Sequence, residues 1–238
     1  MAKERLDKLI ASTGRWSRRE VKTLVREGRV LVDGRIAGSA EEKYDAESCR
    51  IAVNGEELLL RRHTYVMLHK PAGVLSATED GRGRTVLDLL TPELRKIGVF
   101  PVGRLDKDTE GLLLLTDDGE LAHALLSPKK HVDKVYYARV SGRLTPEDCA
   151  AFEAGMTLGD GLECLPAGLE ILAAGETSEC LVTLREGKFH QVKRMLAARG
   201  KPVEYLKRLS MGSLRLDDTL APGEFRLLTA AEEAQLQR

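Results

Sequence analysis

The densest chemistry in the chain lies in nine residues, Gly103-Arg104-Leu105-Asp106-Lys107-Asp108-Thr109-Glu110-Gly111, followed by the apolar run Leu112 to Leu115. They read as a short charged loop between two apolar strands. Asp106 stands between the cations Arg104 and Lys107, and a carboxylate so placed suits nucleophilic or general-base work. A loop that is merely solvated has the same composition. A second cluster, Arg185 to Met195 (REGKFHQVKRM), puts Val192, Met195 and Leu196 on one helical face and leaves Lys188, Lys193 and Arg194 to project elsewhere. Such cations meet phosphate or pair with a buried carboxylate, and an ordinary amphipathic helix carries them too. In a third stretch, Asp133 to Val140, strand alternation sets Tyr136 with Ala138 and Val140, and Tyr137 with Arg139. One of these rings could stack on an extracted base, or fill the core.

Other chemistries lack their residues. Neither GxGxxG nor GxxxxGK[ST] occurs, the four cysteines form no CxxC, and the five histidines form no HExxH. No metal and no cofactor are expected. The longest apolar runs fall far short of the roughly 18 residues of a membrane span, and the start MAKERLDKLIAS has no apolar h-region. The expected location is the cytoplasm.

The elements that must position these clusters divide the chain in two, at residues 1–61 and 62–238. In the first part Leu6, Leu9 and Ile10 mark a short helix stopped by Gly14. Ser17 and Glu20 form a capping-box pattern before a second helix with the stripe Val21, Leu24 and Val25. Strands follow at Val30 to Val32, Arg50 to Val53 and Glu56 to Leu60. In the second part strands are expected at Tyr65 to Leu68, Val99 to Val102, Leu112 to Leu115, Lys134 to Val140, Leu169 to Leu172 and Cys180 to Leu184. A helical turn is expected at Val86 to Leu90. Helices are expected at Glu120 to Leu126 (stopped by Ser127-Pro128), after Thr145 and at His190 to Ala198, with short strands toward the end. The mixture has no regular βαβ beat, so the fold class is α+β.

Net charge is zero, but its distribution is uneven. Lys3 to Arg35 holds ten Lys or Arg against five acids, and Arg185 to Arg215 nine against two. Leu144 to Leu184 holds eight acids and no base. A polyanion responds to such local fields within about 8 Å. Arg15, Arg18, Arg19, Lys22, Arg26 and Arg29 decorate the second helix and its approaches. Here RLDKLIASTGRWSRREVKTLVREGRVLVDG resembles the S4 RNA-binding domain.

Taken in order, the S4-like module, KPAG (70–73), GRLDKDTEGLLLLTDDGELAHALLSP, DKVYYARV, EGKFHQVKRML and LAPGEFRLLT resemble the RsuA-type ribosomal RNA pseudouridine synthases over nearly the whole chain. The resemblance implies a small S4-like α/β module followed by a larger mixed-sheet catalytic domain. It implies Asp106 as the catalytic aspartate, Tyr136 stacking on the target uracil, and Lys193 ion-paired with Asp106. Arg104 would contact the flipped nucleotide. A basic cleft of Lys70, Arg104, Lys193 and Arg194 would track the RNA, with the acidic 144–184 segment facing away. The implied partner is ribosomal RNA within an assembling particle, bound by a monomer. Residues 116–128 and the ending AAEEAQLQR, which lacks a basic extension, point to 16S rRNA. The same chemistry on 23S rRNA and a non-catalytic ribosome-associated RNA-binding protein are the alternatives.

Overall fold

The computed structural model describes residues 3–46, 48–127 and 130–236; Pro128, read as a helix stop, lies outside them. The chain forms two compact units. One comprises the chain through Thr64 together with Leu90–Val99, the other Tyr65–Leu89 and everything from Phe100 onward.

In the first unit β1 (Glu4–Arg5) runs into α1 (Leu6–Ala11), and α2 (Arg18–Arg26) follows. The capping box forms: Ser17 Oγ accepts from the Glu20 N–H, and the Glu20 carboxylate accepts from the Ser17 N–H at 2.6 Å. Leu6, Leu9, Ile10, Val21, Leu24 and Val25 bury the apolar faces of both helices. They pack with β2 (Val30–Val32), whose antiparallel sheet also holds β3 (Arg35–Ile36), β5 (Ile51–Val53) and β6 (Glu56–Glu57), in the order β3-β2-β5-β6. The strand expected over Glu56 to Leu60 is thus only two residues long. β4 (Lys43–Tyr44) pairs with β1. A helix that periodicity misses, α3 (Pro92–Ile97), also belongs to this unit. None of its side chains is buried, so no apolar stripe announces it. Gly14 makes room for it: at φ +73°, a Cβ there would lie 2.3 Å from the Glu93 carbonyl oxygen.

The second unit is built on a mixed sheet. Its strands are β7 (Tyr65–Lys70), β8 (Phe100–Pro101), β9 (Glu110–Thr116), β10 (Lys134–Ser141), β13 (Gly168–Ala173), β14 (Thr177–Leu184), β15 (Val203–Met211), β16 (Leu214–Arg215) and β17 (Phe225–Leu227). The order is β13-β14-β10-β15-β9-β7-β17, with β8 added to β9 and β16 to β15. Every pair is antiparallel except β15 with β9. A short hairpin, β11 (Met156–Thr157) with β12 (Glu163–Cys164), stands apart from this sheet. The helices are α4 (Gly119–Leu126), α5 (Pro146–Ala154), α6 (Gln191–Ala198) and α7 (Ala230–Leu236), with a 3-10 turn at Val86–Leu89. No described helix is long and apolar enough to cross a membrane. β9 reads as an unbroken leucine run because both of its faces are covered: Leu112, Leu113, Leu114 and Leu115 are all fully buried. β15, expected only as short pieces, is nine residues long. Glu204, Lys207, Arg208 and Ser210 interrupt its apolar signal, yet Arg208 is buried and donates to the Leu112 carbonyl at 2.8 Å.

Gly111 closes the loop that carries Asp106. Its φ is +103°, and a Cβ there would meet the Arg208 carbonyl oxygen at 2.3 Å and the Arg208 nitrogen at 2.6 Å. Only glycine lets β9 lie parallel to β15 at this point. Gly111→Ala should therefore cost more than the roughly 1–3 kcal/mol of an unfavourable backbone conformation alone. Thermal or denaturant unfolding checks this; a melting point within 2 °C of the parent (about the shift 1 kcal/mol gives in a domain this size) would disprove the close approach.

Candidate active site

Asp106 sits in the loop between β8 and β9, and the structure holds that loop from beneath. Ser76, itself buried, donates to the Leu105 carbonyl at 3.0 Å and accepts from the Leu105 N–H at 3.1 Å. The Gly73 N–H donates to the Lys107 carbonyl at 2.7 Å, and the Thr109 N–H to the Asp106 carbonyl at 3.1 Å. At the end of β7 the fully buried Lys70 gathers three carbonyls with its ammonium: Pro71 at 2.9 Å, Lys107 at 3.2 Å and Thr109 at 2.8 Å. Burial pulls the Lys70 pKa down to about 8, against the opposing pull of Asp108, Asp106 and Glu110. Lys70 was expected to track RNA phosphate. It has no exposed surface, so it serves instead as the staple of the Asp106 loop.

Both Asp106 oxygens have cationic or imidazole neighbours, one turn apart at the start of α6. Lys193 Nζ lies 3.3 Å from Oδ2 and His190 Nε2 lies 3.4 Å from Oδ1, with 26% of the aspartate side chain exposed. The same ammonium donates to Asp108 Oδ1 at 2.5 Å, and this bond holds the Asp108 carboxyl below the usual range. His190 caps α6 in the left-handed conformation, at φ +51°. The turn before it is clamped by Gln191, which accepts from the Lys188 N–H at 3.1 Å and donates to Glu186 at 2.6 Å.

These groups face a cavity of about 430 Å³, open mouth included, lined by Arg104, Asp106, Tyr136, His190 and Lys193 among others. Tyr136 comes from β10 with its ring largely buried, on the inward face shared with Ala138 and Val140. Arg104 is exposed at the cavity and has no acidic partner among the described residues. The structure thus brings Arg104, Asp106, Tyr136 and Lys193 to one place.

It places the other expected cations differently. Arg194 is tied to Asp160 at 2.5 Å, and Lys188 to the Glu163 carbonyl and to Glu186. The acidic 144–184 segment was expected to face away from the RNA-tracking cleft, but Asp160, between β11 and β12, pairs with Arg194 of that set on α6. In the first unit Arg15 pairs bidentately with Glu56 at 2.7 and 2.6 Å, Arg18 binds the buried Asp7 at 3.0 Å, and Lys22 pairs with Glu41 at 3.2 Å. Burial raises the Asp7 pKa, and the Arg5 and Arg18 hydrogen bonds more than reverse it. Arg19 and Arg26 remain exposed without an acidic partner among the described residues.

A family profile for RNA pseudouridylate synthase matches residues 64–198, and one for the S4 domain matches residues 4–48. The chain belongs to the RNA pseudouridylate synthase family. It is an RNA pseudouridine synthase with an S4 RNA-binding domain. An uncharacterized RNA pseudouridine synthase of Bacillus subtilis, YtzG, is 50% identical over 96% of both chains. Ribosomal small subunit pseudouridine synthase A of Vibrio cholerae is 40% identical over 98% of this chain and 99% of its own. Ribosomal large subunit pseudouridine synthase B of Bacillus subtilis is 39% identical over 98% and 96%. A crystal structure of a pseudouridylate synthase superposes with a TM-score of 0.68 at 35% identity, over 98% and 99%.

Sequence reasoning missed His190, Asp108, Lys70 as a staple and Ser76. His190 and Asp108 lay inside the two motifs already singled out, whereas Ser76 sat in a polar loop with no signal of its own.

Replacing Lys70 with Met should lower kcat at least tenfold, about 1.4 kcal/mol in the barrier, while RNA affinity stays within twofold. A neutral amine has only two donors for three carbonyls, so the parent enzyme should also lose activity as pH rises through about 8, and the variant should not show that limb. Unchanged kcat with weakened RNA binding would return Lys70 to the phosphate-contacting set.

Proposed function

We propose that this enzyme converts one specific uridine of ribosomal RNA to pseudouridine, and that the RNA is 16S rRNA. The observation that carries the reading is the Asp106 carboxylate, held by Lys193 and His190 in the lining of a cavity that also presents Tyr136 and Arg104.

The reaction is balanced without any co-reactant. The N1–C1′ bond of the uridine breaks, the uracil turns, and C5 bonds to C1′; C5 releases its proton and N1 gains one. Asp106 acts on the sugar, as nucleophile at C1′ or as base, while Lys193 holds the carboxylate. Lysine gives a point charge rather than the planar fork of arginine, which suits an ammonium shared between Asp106 and Asp108. Tyr136 supports the detached uracil by stacking as it turns. Arg104 binds the phosphate of the flipped nucleotide, since the target must leave its stack to reach the cavity. Exposed Arg19 and Arg26 of the S4 unit add phosphate contacts, which bind largely without regard to sequence. The protein acts as a monomer in the cytoplasm on a particle under assembly, where the target is unpaired and flipping costs least.

Assignment to 16S rests on residues 116–128, which read closest to small-subunit enzymes, and on the 40% identity to the Vibrio cholerae enzyme. The 39% identity to the Bacillus subtilis large-subunit enzyme favours 23S as the second reading. Carbodiimide-blocked primer extension on both rRNAs, from cells with and without the gene, decides between them. One pseudouridine missing from 16S rRNA, restored by purified protein on early small-subunit precursors, is the expected result. Loss confined to 23S rRNA would refute the 16S assignment, and unchanged profiles in both would refute rRNA as the substrate.

A further inference from the structure

One aromatic ring at the cavity has no place in the chemistry above. Phe189 is 74% exposed, although it sits between two cavity-lining residues, Lys188 and His190. Its ring stacks on the His190 imidazole, centroids 3.8 Å apart and planes 19° from parallel. That imidazole in turn reaches Asp106 at 3.4 Å, so a single five-membered ring separates Phe189 from the reacting carboxylate. The residue is held there: His190 is fixed in the left-handed region, uncommon for a residue with a side chain, and the preceding turn is clamped by Gln191. Most of the phenyl surface faces water next to Lys188 in the chain, and the adjoining cavity presents Lys193, shared between Asp106 and Asp108, and Arg104, which has no acidic partner among the described residues.

An exposed aromatic platform among cations is the arrangement by which proteins hold single-stranded nucleic acid: the cations track phosphates and the ring stacks on a base whatever its identity. We infer that Phe189 is a stacking platform for the unpaired base next in the strand to the uridine in the cavity. The inference rests on the Asp106 cavity being the uridine site. It gives the enzyme a second base-binding position, sequence-tolerant because a phenyl ring makes no hydrogen bonds to base edges.

The test uses the full-length protein and two fluorescent probes, an eight-residue oligouridylate and an abasic ribose-phosphate strand of equal length, titrated by anisotropy at fixed salt. The expected result for Phe189→Leu is a loss of oligouridylate affinity of about 5- to 150-fold, the range of one base–aromatic stack. Abasic-strand affinity should stay within twofold, and Phe189→Trp should restore oligouridylate binding. With rRNA substrate, the same Leu variant should raise KM and leave kcat within threefold. Equal affinity of Phe189→Leu and parent for oligouridylate would overturn the platform. So would equal loss on both strands, which would indicate a structural role, or a contact to something other than bases. Tyr136→Leu is measured alongside: if it leaves oligouridylate binding unchanged while Phe189→Leu weakens it, the ring does stack on a base, but the cavity assignment fails and with it the placement of that base beside the uridine.

Discussion

The role proposed for Asp106, attack on or deprotonation of a ribose, asks for a carboxylate that is both reachable and fixed, and the rest of the second unit is arranged to meet those two demands. Reach requires a loop at the open end of a cavity. Fixity requires partners for both carboxylate oxygens, and α6 supplies them one turn apart in His190 and Lys193. Charge-assisted contacts of this kind are stronger than neutral ones. They are also only partly screened, since Asp106 and Lys193 each keep about a quarter of their side-chain surface in water.

The loop itself is held by backbone acceptors rather than by its own charges. Lys70, Ser76 and Gly73 bind the carbonyls of Leu105, Lys107 and Thr109, and Gly111 lets β9 press against β15. Three separate stretches of the chain thus converge under Asp106. Leaving a buried lysine without acceptors would be costly, so Lys70 and the loop carbonyls specify each other. Several of the cations outside this cluster are engaged with acids. Arg194 with Asp160 and Arg15 with Glu56 show that a basic tally overstates the charge free for RNA.

Much of this was legible in the sequence because periodic elements announce themselves. The capping box at Ser17 and Glu20, the leucine run of β9 and the alternation of β10 each formed where expected. Asp106, Tyr136, Lys193 and Arg104 stood in motifs dense enough to single out, and the structure gathers all four. Three kinds of feature were illegible. α3 buries none of its side chains and so has no stripe. β15 hides among charges, one of which, Arg208, is buried and hydrogen-bonded. Lys70 reads as a surface cation, because the three carbonyls that bury it come from Pro71, Lys107 and Thr109, and two of these are almost forty residues away. Long-range hydrogen bonds to backbone leave no local pattern.

The central claim is that Asp106 performs the chemistry. It is tested most directly by tritium release from RNA labelled at C5 of uridine, because the C5 proton is lost only when isomerisation completes. Asp106→Asn keeps the size and shape of the side chain and removes its charge. The account requires no release above background, with RNA affinity and melting temperature close to those of the parent enzyme. Release within about tenfold of the parent rate, a barrier change of only about 1.4 kcal/mol, would show that another group carries the reaction.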